Sequence, residues 1–204
     1  MKLSRIKTLI KERKTAVIML DDSNVQWIGD GISLYPADGD VVFNKENILS
    51  ILDIDRTKRE QYIVQQKMET PLPMLGLEPH PREIKLHTDF SVDYLGDLIT
   101  LMHTEDGLVV GVNQKRIAPA DGEVPLEFVL RPNCRGSYVV ACYEGMLCTG
   151  IIKPEESMIG EAIMKWLEHA INQPRGYIDL VEVNAEPEEE VEPEQMEIGE
   201  GGSR

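Results

Sequence analysis

Leu3, Ile6, Leu9 and Ile10 recur at three- and four-residue spacing among good helix formers, so the pattern predicts an amphipathic helix over residues 3–14. The period then shortens. Apolar runs at 15–20, 25–28 and 32–35, separated by Asp21-Asp22-Ser23-Asn24 and Gly29-Asp30-Gly31, read as three strands of a meander. Val41-Val42-Phe43 leads into Asn44, whose side chain suits an N-cap, and then into a short helix with Ile48, Leu49, Ile51 and Leu52 on its inner face. Beyond a charged stretch at 53–60, Tyr62-Ile63-Val64 predicts another strand.

Residues 69–82 break this rhythm. Pro71, Pro73, Pro79, Pro81 and Gly76 exclude a helix and disfavour a central strand. A connector is expected there, with Leu72, Met74, Leu75 and Leu77 apolar enough to pack on the folded parts. After it, a strand at 83–87 precedes a predicted helix at 91–103, whose stripe is Val92, Leu95, Leu98, Ile99 and Met102. Strands are expected at 108–112, 116–118 and 126–130, with a turn at Asp106-Gly107. The runs 138–143 and 146–152, joined at Glu144-Gly145, form the clearest hairpin. The strongest helical periodicity lies at 155–172; Pro174 ends it, and a closing strand is expected at 177–183. From Asn184 the apolar pattern gives way to acidic residues with Pro187 and Pro193. That composition buries too little surface to offset its ordering entropy, which predicts a disordered acidic tail over 184–204.

One phrase occurs twice, Pro36-Ala37-Asp38-Gly39 and Pro119-Ala120-Asp121-Gly122, each followed by an acidic residue and a valine. It points to an α+β chain of two similar halves, each an antiparallel sheet with amphipathic helices. The halves are 1–68 and 83–183, joined by the connector 69–82. Asp-Gly is a common turn pair, so coincidence is the alternative.

Charge changes the picture more than composition does. The net charge is -15, but residues 1–68 carry 11 Lys and Arg against 10 Asp and Glu, while 69–181 carry 9 against 17 and 182–204 carry 1 against 9. The acidity disfavours whole-surface DNA binding but leaves room for a local basic patch acting within a Debye length of about 8 Å. The first helix supplies one: Lys7, Lys11 and Lys14 follow each other along one flank, with Lys2, Arg5 and Arg13 elsewhere. A solvated helix surface is the plain reading of that strip, and a phosphate-contacting strip the functional one. The tail is either a solubilising segment, a motif that engages a basic protein, or a shield over a basic surface.

Candidate chemistry is sparse. The sequence has no phosphate-binding Gly-x-x-x-x-Gly-Lys-Ser/Thr loop, no Gly-x-Ser-x-Gly elbow and no His-Glu-x-x-His pair. Asp21, Asp22, Asp38 and Asp121 sit where turns already account for them. Cys134, Cys142 and Cys148 lack Cys-x-x-Cys spacing and read as core thiols. His80 and His87 have no further ligand at metal spacing, and His103 with Cys134 or Cys142 makes a nucleophile–base pair only on paper. No catalytic residue, metal or cofactor is expected. No apolar run reaches the length of roughly 20 residues that a membrane helix needs, and a cytoplasmic location is expected.

The order Leu3-Ser4-Arg5-Ile6-Lys7-Thr8-Leu9-Ile10, Ala16-Val17-Ile18-Met19-Leu20, Val25-Gln26-Trp27-Ile28 and Val41 through Leu52 resembles a repeat unit of the DNA sliding clamps. In that family a helix precedes a strand meander, and a valine-rich strand enters a second short helix. The resemblance implies helices that meet DNA phosphates, with Lys7, Lys11, Lys14, Lys58 and Arg59 as the contacts, and partner subunits to close a ring, hence a homo-oligomer. The chain departs from the family at 91–103, where Asp93 and Asp97 replace basic residues, and at 155–172, where Glu155, Glu156, Glu161 and Glu168 outnumber Lys165. The expectation is a non-enzymatic, clamp-like accessory factor in DNA metabolism, of a size that fits a bacterial phage or mobile element. The alternatives are an acidic protein-interaction adaptor and a small-ligand enzyme.

Overall fold

Helix α1 (Leu3–Arg13) forms where the helical period predicts it, and it buries Ile6, Leu9 and Ile10. Lys14 ends it with a left-handed φ of 51° and turns the chain into β1 (Thr15–Leu20). The computed structural model describes residues 2–37, 39, 41–67, 75–94, 96–133 and 137–155. All lie in one unit, Met1–Ile163. The meander follows as β2 (Gln26–Gly29) and β3 (Ser33–Pro36), each within a residue of its expected place. A short helix α2 (Ile48–Ile51), a 3-10 turn (Arg56–Gln61) and β4 (Ile63–Lys67) complete this part. The second part supplies β5 (Ile84–Tyr94), β6 (Asp97–His103), β7 (Val109–Asn113), a short helix α3 (Gln114–Ile117), β8 (Leu126–Pro132), β9 (Tyr138–Glu144) and β10 (Leu147–Ile152).

The strands make one ten-stranded mixed sheet in the order β4-β1-β2-β3-β10-β9-β8-β5-β6-β7. The protein is α+β, as expected. The sheet in the first part is not wholly antiparallel, because β4 runs parallel to β1. The seam between the two parts is β3 on β10, where Leu34 and Ser33 face Ile151 and Ile152.

Strand alternation splits the core between two faces of the sheet. On one side Ala16, Ile18, Ile28, Tyr35, Val140 and Cys142 pack with α1 and α2; on the other Val17, Trp27, Leu34, Val139, Ala141, Tyr143 and Cys148 pack with Leu75. Of the connector's apolar residues, Leu75 and Leu77 pack on a sheet face, and the Leu77 carbonyl accepts from the Cys148 amide at 2.8 Å, while Leu72 and Met74 lie outside the described residues. Cys142 and Cys148 are buried free thiols.

Three local expectations are corrected. Residues 91–103 form the end of β5 and all of β6, a hairpin turned at Gly96 with φ +84°, not a helix. Residues 116–118 end α3 rather than forming a strand, because the Asn113 side chain accepts from the Lys115 amide and caps a helical turn. Residues 41–43 are not a strand. The Gln26 side chain instead receives the Phe43 amide at 2.7 Å and donates to its carbonyl at 2.9 Å, a side-chain substitute for strand pairing. The two Pro-Ala-Asp-Gly copies have different settings, the first ending β3 and the second following α3. The predicted helix at 155–172 beyond its first residue, the strand at 177–183, the acidic tail and Cys134 lie outside the described residues.

Candidate nucleic-acid interface

The parallel pairing of β1 and β4 places the end of α1 beside the 3-10 turn: the Ile63 amide donates to the Lys14 carbonyl at 2.9 Å. Asp55 caps that turn, accepting from the amide and hydroxyl of Thr57 at 2.9 and 2.8 Å. As a result Lys7, Lys11, Lys14, Lys58 and Arg59, far apart in sequence, gather at one end of the sheet. Lys7 Nζ lies 2.9 Å from Asp53, Lys14 Nζ donates to Gln61 Oε1 at 3.0 Å, and Arg59 Nε donates to the Ile54 carbonyl at 3.0 Å. Lys11 and Lys58 are exposed with no ion pair among the described residues. Residues 7–14 and 53–61 together hold seven Lys and Arg against four Asp and Glu, in a chain whose net charge is -15.

Carboxylates within this end register its field. The hydrogen bond from Lys7, and then the charges of Lys7 and Lys11, hold Asp53 below the usual carboxylate range. The hydrogen bonds from Thr57, then the charges of Lys58 and Arg59, do the same for Asp55. Arg56 is exposed on the same turn and belongs with the cluster, although the sequence pattern did not single it out.

The basic residues at the other end of α1 are engaged within the chain. Lys2 and Arg5 lie 3.3 and 3.9 Å from Asp121, and Arg5 also donates to the Ala118 carbonyl at 2.7 Å. Cations at a helix N-terminus oppose its dipole, and Asp121 offsets that. At the Lys14 end, Arg13 is engaged too: it lies 3.6 Å from Asp30, whose carboxylate is fully buried and also receives Arg116 Nη1 at 2.5 Å and the amides of Ile32 and Ser33. Asp30 is therefore both the turn residue that the Gly29-Asp30-Gly31 motif predicts and the ionic tie between β3 and α3.

Arg131 on β8 is the second buried ionic centre. It pairs with Glu83 at 2.6 Å and donates to the carbonyls of Gly76 and Glu78, each at 3.0 Å, and to the Tyr143 hydroxyl. It fastens the connector to the sheet. The Arg131 side chain is buried and its guanidinium engaged, which suits anchoring rather than ligand contact.

His103 and Cys142 do not assemble as a nucleophile–base pair, since Cys142 is fully buried while His103 is partly exposed beside Asp89; the alternative partner Cys134 lies outside the described residues. The described residues line two open grooves. One of about 630 Å³ is lined by Leu34, Leu130, Val139 and Ile151 with Asn133 and Ser137, and one of about 590 Å³ by Leu20, Val25, Val41 and Val42. Among the described residues no group of three or more His, Cys, Asp and Glu is arranged to hold a metal ion, and no helix is long and apolar enough to cross a membrane. No protein-family model, curated protein or solved structure matches this chain.

Proposed function

We propose that this chain is a non-enzymatic binding protein that engages DNA phosphates through the end of α1 and the 3-10 turn. The observation that carries the reading is the convergence of Lys11, Lys14, Lys58 and Arg59 on one end of the sheet in an otherwise acidic chain. Phosphate recognition needs mobile cations near one another rather than a shaped pocket. A clamp-like accessory role, with ring closure by further copies, is the finer form of this proposal. Its support is a cationic helix laid against a strand meander. The two-half plan is part of it and rests on the repeated Pro-Ala-Asp-Gly phrase, against which the different settings of the two copies weigh.

A protein-interaction adaptor is the second reading. It is favoured by the tip of the β9–β10 hairpin, where Met146 and Leu147 are 81% and 58% exposed.

Duplex DNA affinity measured against salt separates the two. Four phosphate contacts give a slope of about -3.6 in log affinity on log salt, a loss of roughly 150-fold between about 50 and about 200 mM. Reversing Lys11, Lys14, Lys58 and Arg59 to Glu flattens that slope if the proposal is right. Absence of binding in the full chain and in one lacking 184–204 overturns it and leaves the adaptor.

A further inference from the structure

We propose that His87 and His103, both solvent-accessible, form a two-imidazole chelate for a divalent transition metal across the β5–β6 ribbon, with Asp89 as the outer carboxylate that orients His103. The two histidines are direct partners in the strand register, on the side of the ribbon opposite the core residues Leu86 and Met102. Their ring centroids lie 5.4 Å apart with a tilt of 30°. Imidazole nitrogen binds zinc at about 2.0–2.1 Å, which with about 1.15 Å from nitrogen to ring centre puts each centroid about 3.2 Å from the metal. Two such rings 5.4 Å apart subtend about 115° at a shared ion, close to the tetrahedral angle.

Asp89 supplies the second observation. A register shift between Thr88 and Ser91 sets Asp89 and Phe90 together opposite Leu101, a bulge of the kind that re-aims a side chain. The Asp89 carboxylate receives His103 Nδ1, with oxygens at 2.8 and 2.9 Å. That bond to an acceptor-only carboxylate fixes the proton on Nδ1 and leaves the Nε2 lone pair as the ligating position, the arrangement in which a carboxylate orients a metal-binding histidine. Two protein nitrogens leave the remaining positions to water or to a donor from another molecule, and imidazole selects zinc, copper(II) or nickel over magnesium or calcium.

The test is calorimetric titration of the full, untagged chain with zinc chloride and with copper(II) chloride. The expected result is one equivalent bound, abolished by His87→Ala and by His103→Ala, weakened roughly 10- to 100-fold by Asp89→Asn, and unchanged by His80→Ala. Copper(II) on the wild-type protein gives a spectroscopic check independent of how the variants fold: hyperfine structure in paramagnetic resonance from two imidazole nitrogens. No binding by the wild type, affinity retained in either histidine variant, or a copper spectrum with fewer than two nitrogens overturns the proposal.

Discussion

Replacing Arg131 by Met keeps an apolar stem of similar reach and deletes only the guanidinium. The side chain is 1% exposed and its partner Glu83 only 10%, so the variant leaves a nearly buried carboxylate without its cation. Removing one member of such a pair costs about 3–5 kcal/mol, mostly as the penalty for the charge left behind. The carbonyls of Gly76 and Glu78 lose donors as well, although the Tyr143 hydroxyl still reaches Glu83 at 2.8 Å. With a urea slope of about 2 kcal/mol/M, a loss of about 4 kcal/mol moves the unfolding midpoint down by about 2 M. Adding Glu83→Gln neutralises the stranded carboxylate, so the double variant is more stable than the sum of the singles by at least about 1 kcal/mol. Hydrogen exchange localises the effect: the Cys148 amide, which donates to Leu77, loses protection ahead of the β1 and β9 amides. A midpoint shift below about 0.5 M, or additive single and double variants, would refute the anchoring role.

Two further outcomes follow from buried groups. A Cβ at Gly29 would sit 1.8 Å from the Ser33 carbonyl oxygen, which belongs to backbone and cannot step aside, so Gly29→Ala should lower stability by about 3 kcal/mol; an unchanged melting temperature would count against that close approach. Burial lifts the Cys148 thiol from its ordinary 9.0 to about 11, and it also pushes up Cys142, Tyr35 and Tyr143. The folded state then holds these protons more tightly than the unfolded chain does. Their contribution is complete below about pH 9 and is lost as pH rises toward the folded values, so urea midpoints should fall steadily from about pH 9 to about pH 11. A flat profile over that window would contradict the burial of these groups.

Much of the first part could be read from the chain, because α1 and the meander are local patterns with strong punctuation. The hairpin β9–β10 was legible for the same reason, with Gly145 at φ +63° in its turn. The error at 91–103 has a physical cause. Ile99, Thr100, Leu101 and Met102 are all buried, so β6 shows no alternation, and its apolar residues happen to satisfy helical spacing. Gly96 inside the supposed helix was the available warning. The cationic end was half legible: α1 displayed its lysines, but only the parallel pairing of β1 with β4 brings Lys58 and Arg59 to them, and non-local pairing leaves no mark in a single sequence. Asp30 looked like a turn residue and is one; its partner Arg116 lies 86 positions away. The cross-strand meeting of His87 and His103 was hidden by reading the second histidine as helical.

The seam of β3 on β10 also dictates the order in which the chain can mature during synthesis. Ser33 waits for Ile152, on the order of a hundred residues later, before its strand has a neighbour on that side. Until the ribosome has delivered the β9–β10 hairpin, the emerging meander carries an open strand edge beside Trp27 and Leu34, a surface that invites pairing with another nascent chain. Loop closure of that span sets a slow folding step. Fragments that stop short of β10 should accumulate as aggregates, and folding yield should depend on chaperone supply more steeply than the stability of the finished protein would suggest.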